Sequence, residues 1–464
     1  MHLLALRFLS EADLILFPLC VALFYYITKA KANKAPSFQI RKLYIRAFYF
    51  RVFVVIFSTF ITEFYFKGGD TGLYYQAIQD MRTAIADDIG FLWTSLTTSH
   101  LSVSSSLFNY FYYDNYQYDI TYNYMISSHN FLAPRFALIP SYVLFNSYIC
   151  INLFFSFFAF GGAVRLFKAF YYFYPKMYRE LALACLFLPG VIFWSSSLLK
   201  DPISFGCMGY ILNSLVNIIY RKRNYWGSVF LLIFCIYLLY VVKVYILLVL
   251  ALGILIWMFA EVNKFIKDRT LRNIFTALSF VLSIGAGLFL LNYITTSENA
   301  QEYQLDTLLD NFEQERKGYA AIAEQLPGDS HFEINTSNPL LMAFSGITAT
   351  FYRPFIWEIN SPIVILSAIE SSVFLLITFI FIVKRGLKKF LTIPFSDGRI
   401  LMCFIFAFVF AAGIGSSTTN FGALSRYKIP CMPFYFVMIL FMYRKTNLPY
   451  PKWFERLLNY TITK

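Results

Sequence analysis

Six charged side chains stand near the ends of long apolar runs, and their types suggest what chemistry the chain could perform. Asp70 follows two glycines in GGDTGLYY (68–75), and Lys200 precedes Asp201 in FWSSSLLKDP (193–202). Lys243 interrupts YVVKVY, inside an apolar stretch of more than thirty residues. Arg353 and Glu358 share FYRPFIWEINSP (351–362), with Glu370 further along the next run. Arg426 and Tyr427 belong to STTNFGALSRYKIP (417–430), where Lys428 comes next. Arginine offers phosphate oxygens a two-pronged fork and lysine a point charge. Carboxylates such as Asp70 and Glu358 can take a proton from a hydroxyl or hold a divalent cation. Cations mixed with carboxylates suit an anionic, lipid-linked substrate with a neutral polar part. They suit an ion channel poorly, since a channel favours rings of one sign.

Each residue also has a plain structural reading. Asp70 can end a turn. Lys200 and Asp201 can neutralise one another at the tip of a short hairpin. Lys243 can snorkel from the junction of two helices. Glu370 lies within an apolar run, where a carboxylate needs a cationic partner. His129 and His331 fall in polar connections and read as surface residues. The seven cysteines have no disulfide or metal-ligand spacing. No phosphate-binding glycine loop, dinucleotide fingerprint, HExxH or catalytic triad is present.

The elements that must position these residues are membrane helices. The 464 residues are 58% hydrophobic and 14% charged, against about 25% charged in a soluble domain. The apolar runs have helix-spanning length rather than the alternation of barrel strands. The sequence predicts an all-α polytopic membrane protein, one transmembrane domain over residues 1–464. Eleven spans are expected: 12–28, 43–66, 137–163, 181–199, 202–220, 226–242, 244–261, 273–294, 362–383, 399–415 and 427–443. The first run lacks a small-residue cleavage site and reads as a retained helix.

Charge sets the orientation. Lys29–Lys42, Arg165–Arg179, Arg221–Arg223, Lys264–Arg272, Lys384–Lys389 and Arg444–Lys445 bound one set of connections, rich in Lys and Arg. The other connections, 67–136 and 295–338, are long and acidic. By the positive-inside rule the N-terminus is outside and the C-terminus cytoplasmic. The net charge of +13 is therefore a topology signal, and no nucleic-acid partner is implied. Residues 339–358 must then stay on the outer side as a re-entrant or interfacial helix, because crossing would invert every later basic loop. In 295–338, Leu305, Leu308, Leu309 and Phe312 recur at helical spacing, predicting an amphipathic helix whose apolar face covers a cavity mouth as a lid. No internal repeat is visible, so a transporter built from inverted halves gains no support.

The opening of the chain — span, basic loop, span, then GGDTGLYY and a Tyr-rich loop — resembles the EpsG and Wzy-like polysaccharide polymerases. A membrane-edge Asp in an early outer loop is also similar to the GT-C glycosyltransferases, which use polyprenyl-phosphate sugars. FYRPFIWE and SRYKIPCMPF resemble the Arg-rich outer elements and terminal span of such proteins. Two departures favour the polymerases over GT-C enzymes: Asp70 stands without a second adjacent acid, and the chain carries an extra leading span. The resemblance implies a glycosyltransferase or polymerase acting on undecaprenyl-linked sugars at the outer face of a bacterial inner membrane. Lys200, Lys243, Arg353, Arg426 and Tyr427 would bind the (pyro)phosphate-linked substrate. Asp70 and Glu358 would be catalytic, by activating the acceptor hydroxyl or holding a divalent cation. The rival reading is a transporter or flippase of lipid-linked saccharide that changes no covalent bond, and a third is a structural subunit of an envelope machine. The cost of burying charge in a bilayer predicts that Asp70, Lys200, Lys243, Arg353, Glu358 and Arg426 meet around one outward-facing cavity.

Overall fold

The computed structural model describes residues 8–112, 120–268, 307–325 and 330–463, with scattered positions between 270 and 285. Among these residues the fold is all-α, and an isolated antiparallel bridge between His331 and Asn420 is its extended pairing. Among the described residues, seven helices are long and apolar enough to cross a membrane. Many carry bare apolar side chains along one side, including Leu14, Leu19 and Leu23, Phe53 and Phe57, Phe230 and Ile233, and Phe379 and Val383. A water-soluble fold does not leave such stripes open, whereas lipid accepts them. The chain is a multi-pass, membrane-embedded protein.

In chain order the helices begin with α1 (Asp13–Ala32), α2 (Phe38–Phe60), α3 (Gly69–Asp87), α4 (Gly90–Thr97), α5 (Phe108–Tyr112) and α6 (Ile120–Met125). Next come α7 (Ser128–Val143), α8 (Tyr148–Phe173), α9 (Tyr178–Leu186), α10 (Pro189–Trp194), α11 (Lys200–Val216) and α12 (Tyr225–Asn263). Then follow α13 (Leu308–Gln325), α14 (Pro339–Tyr352), α15 (Pro362–Arg385), α16 (Leu387–Thr392) and α17 (Gly398–Ser417). The last are α18 (Phe421–Tyr427), α19 (Met432–Lys445) and α20 (Lys452–Thr463). They sort into two compact units: residues 1–173 with 192–243, and residues 174–191 with 244–464.

Several expected spans are redrawn. The run 137–163 is two helices, because Phe145 and Asn146 adopt left-handed backbone between α7 and α8. The run 181–199 is not continuous: α9 stops at Leu186, Pro189 opens the short α10, and Ser195–Leu199 are non-helical. The runs 226–242 and 244–261 form α12, 39 residues with non-helical backbone at Lys243 (φ −154°, ψ 78°). At 1.5 Å per residue α12 measures roughly 58 Å, about twice a hydrocarbon core of about 30 Å. The break at Lys243 divides it into two arms of spanning length. The run 427–443 is divided into α18 and α19 by residues 428–431, and α19 has 14 residues. The expected span 273–294 lies largely outside the described residues. Helix α14 also has 14 residues, about 21 Å of helix, too short to cross alone. It packs on α17, where Thr350 Oγ1 donates to Ala411 O at 3.0 Å and Ser416 Oγ to Met342 O at 3.2 Å.

The first unit is tied by a close crossing of α8 and α11. A Cβ at Gly162, or at Gly209, would collide with the facing helix backbone. Small residues of this kind let membrane helices meet at backbone distance. In the second unit, buried Tyr435 shares hydroxyl contacts with Tyr352 (2.8 Å) and Thr378 (2.6 Å), while Arg444 pairs with buried Glu180 at 2.6 Å.

Candidate functional site

In the first unit, the GGD element forms the turn its composition predicts. Lys67, Gly68 and Gly69 all have positive φ (51°, 124° and 56°), which glycine adopts without penalty. Asp70 then falls in the first turn of α3 and is half-buried. A carboxylate is stabilised there by the positive end of the helix dipole. One turn further on the same face, Tyr74 is fully buried and its hydroxyl donates to Asn130 Oδ1 at 3.3 Å.

Asn130 connects this helix to Lys200. Lys200 Nζ donates to Asn130 Oδ1 at 2.7 Å, and Asn130 Nδ2 donates to Tyr124 O at 3.0 Å. Lys200 and Asp201 open α11. Asp201 pairs with Lys243 at 2.5 Å, with side chains 0% and 5% exposed. Neither of the two sequence readings of Lys243, snorkelling or holding a substrate anion, anticipated that partner. Its ammonium is held by a carboxylate of its own chain. The non-helical backbone at Lys243 sits where this pair is made. His129 lies in the same surroundings: burial, with the charges of Lys200 and Lys243, pushes its pKa down to about 3. It is a half-buried imidazole, neutral at physiological pH, and more enclosed than a surface residue.

The second unit carries Arg353, Glu358, Arg426 and Tyr427. Arg353 follows α14, and its guanidinium is heavily engaged. Nε and Nη2 donate to Glu358 Oε1 at 3.0 and 2.5 Å, and Nη1 donates to Glu333 O at 3.1 Å. The cation also lies 4.5 Å from the Phe332 ring centroid and 5.2 Å from that of Phe421, two rings that stack on each other at 4.3 Å. Glu358 accepts from the Phe355 backbone N–H as well, at 2.8 Å, so both its oxygens are occupied. Arg426 lies 5.9 Å from the Tyr427 ring, and both are half-buried.

Lys428, two residues beyond Arg426, is buried. Its Nζ donates to Ser371 Oγ at 2.9 Å and to Arg353 O at 3.2 Å, and it interacts electrostatically with Glu370. Lys428 thus supplies the cationic neighbour that Glu370 needs. Glu370 Oε2 also accepts from the Gly190 backbone N–H at 2.9 Å. Pro189 restarts the helix there, which leaves that N–H without a partner in its own turn. A side chain at Gly190 would collide with the same carboxylate oxygen.

A pocket of about 530 Å³ opens in the second unit. One wall is the α13 face carrying Glu313, Arg316, Lys317 and Ala320; another is His331–Ile334 with Thr336, and Thr419 completes it. The walls are joined by backbone pairing: Phe332 N donates to Thr419 O and Phe421 N to Ser330 O, each at 2.9 Å. Arg316 docks α13 by donating to Ser416 O at 2.8 Å. The half-buried stripe of α13 runs through Leu308, Phe312, Arg316, Tyr319 and Ala323, whereas Leu309 is exposed. Leu308 and Phe312 of the predicted apolar face are thus on the half-buried side, joined there by Arg316 and Tyr319; Leu305 lies outside the described residues. His331 Nδ1 and Thr419 Oγ1 are buried without a hydrogen-bond partner. Sequence reasoning passed over His331 because nothing in the sequence pairs residue 331 with residue 420.

Among the described residues, no three His, Cys, Asp or Glu side chains group so as to hold a metal ion. No family model matches the chain, and no curated protein and no solved structure is similar to it. Fold and site together define a multi-pass α-helical membrane protein with a buried charged network in each of its two units.

Proposed function

We propose that this protein is a membrane glycosyltransferase or polysaccharide polymerase acting on undecaprenyl-linked sugars at the outer face of a bacterial inner membrane. The observation that carries the reading is the pocket in the second unit. In a chain otherwise dominated by apolar helices it combines two cations, two carboxylates, a histidine and two threonines. Its volume lies in the usual range for small-ligand sites, and its balanced charge suits a polyhydroxylated, neutral sugar. In the reaction an acceptor hydroxyl attacks the anomeric carbon, the undecaprenyl (pyro)phosphate departs, and a carboxylate or imidazole takes the hydroxyl proton. The test is direct. Protein in nanodiscs, given undecaprenyl-pyrophosphate-linked saccharide, should release undecaprenyl pyrophosphate and lengthen the glycan on a gel. Unchanged substrate would overturn the proposal.

One observation favours a transporter or flippase instead. Ser195–Leu199 are buried, non-helical and adjacent to a helix of spanning length, with their backbone satisfied by side chains. Broken helices at membrane depth are common in transporters. A flippase would move the same lipid between leaflets and leave the glycan unlengthened. Orientation has its own expected result: reporter fusions at residues 35, 222 and 387 should read cytoplasmic, and those at 90 and 320 external. An external signal at 387 would mean that α14 takes part in a crossing.

A further inference from the structure

Arg51 lies on the packed face of α2, about midway along a helical stretch running from Phe38 to Phe66. It is roughly 20 Å from either end at 1.5 Å per residue, too far for its side chain to snorkel to water. It is 2% exposed. Nη1 donates to Ser195 Oγ at 3.0 Å and lies 3.5 Å from Ser195 O, but Nε and Nη2 are buried with no partner in the protein. The segment it touches is bound through hydroxyls: Ser196 Oγ donates to Ile192 O at 2.7 Å, Ser58 Oγ donates to Ser196 O at 3.4 Å, and Ser156 and Ser196 share a hydroxyl contact at 3.1 Å. A guanidinium cannot shed its proton, and a buried charge left uncompensated is strongly destabilising.

We propose that Arg51, through Nε and Nη2 and with the hydroxyl of Ser195, holds one small monovalent inorganic anion of the halide kind. Its role is to stabilise the non-helical Ser195–Leu199 segment that leads into Lys200 and Asp201. The charge selects the ligand. One guanidinium matches one negative charge, whereas a phosphate dianion would leave the interior net negative. An anion that binds only the folded state stabilises it by mass action.

The experiment uses the full chain in nanodiscs and compares thermal unfolding in sodium chloride, sodium bromide and sodium gluconate at equal ionic strength. Chloride and bromide should raise Tm saturably by a few degrees relative to gluconate, which is too large for the site. Arg51→Lys should keep the response and Arg51→Gln should lose it. Ser195→Ala, which keeps the cation, should weaken the apparent chloride affinity about tenfold and serves if Arg51→Gln does not fold. Identical curves in chloride and gluconate would mean that water alone satisfies Arg51. A chloride response unchanged in both Arg51→Gln and Ser195→Ala would mean that the anion binds elsewhere. Either result overturns the proposal.

Discussion

Replacing Lys243 with methionine should destabilise the protein by about 3–5 kcal/mol, because it removes the ammonium that pairs with the buried Asp201 carboxylate. Asp201 is 0% exposed and takes the Lys243 ammonium at 2.5 Å. Methionine has nearly the length of lysine, so packing changes little and the loss is electrostatic. Asp201→Asn should be similarly harmful, since it removes the carboxylate that holds the buried ammonium. The double variant, Asp201→Asn with Lys243→Met, should recover most of the loss, because both charges of the pair are then removed together. Unfolding of all four proteins in one detergent would measure the coupling. If both single changes cost less than about 1 kcal/mol, the pair is solvated as a surface pair would be, and the buried geometry is wrong. The double variant also separates stability from function. If Lys200, Asp201 and Lys243 are part of the substrate site, it should fold and still fail to lengthen glycan.

That pair illustrates what the sequence could and could not reveal. Lys243 stood out because one charge within an apolar run is costly, and the cost implied a special environment. The partner was not legible: Asp201 lies 42 residues away, and its neighbour Lys200 offered a more local explanation. The same limit governed the helices. Apolar runs report length and burial, so α1, α2, α11, α15 and α17 were found close to their observed bounds. Runs do not report breaks. Phe145, which is left-handed, and the non-helical Ser195–Leu199 are apolar or small, and they resemble helix interior until tertiary contacts are seen. The glycines of GGD did announce their turn, because the residue type and the positive φ are directly linked. The pocket was least visible of all. Its walls come from three separated segments, and His331 is recognisable only through backbone pairing with a stretch some ninety residues on.

Arg353 offers the sharpest test of chemistry. Arg353→Lys keeps the charge but loses the fork, and glycan lengthening should fall by about 10²–10³-fold, the usual consequence of removing one charge-stabilising donor. The protein should remain folded, with a modestly lower Tm from the lost contacts to Glu333 and the Phe332–Phe421 stack. Glu358→Gln then decides what the carboxylate does. Both its oxygens accept hydrogen bonds from Arg353 and from the Phe355 N–H, so no free lone pair is aimed at a substrate in this state. A carboxylate held in this way positions the guanidinium. Glutamine, which still accepts hydrogen bonds, should therefore lower activity by only about tenfold, within the range of a weakened contact. The shape of the pH–rate profile should not change. A loss of 10²–10⁴-fold, with the acidic limb of that profile abolished, would identify Glu358 as the general base. Arg353 would then have to release it during each turnover. Glycan lengthening unaffected by Arg353→Lys would remove this arginine from the chemistry, leaving it as the link between residue 333 and the chain that follows α14.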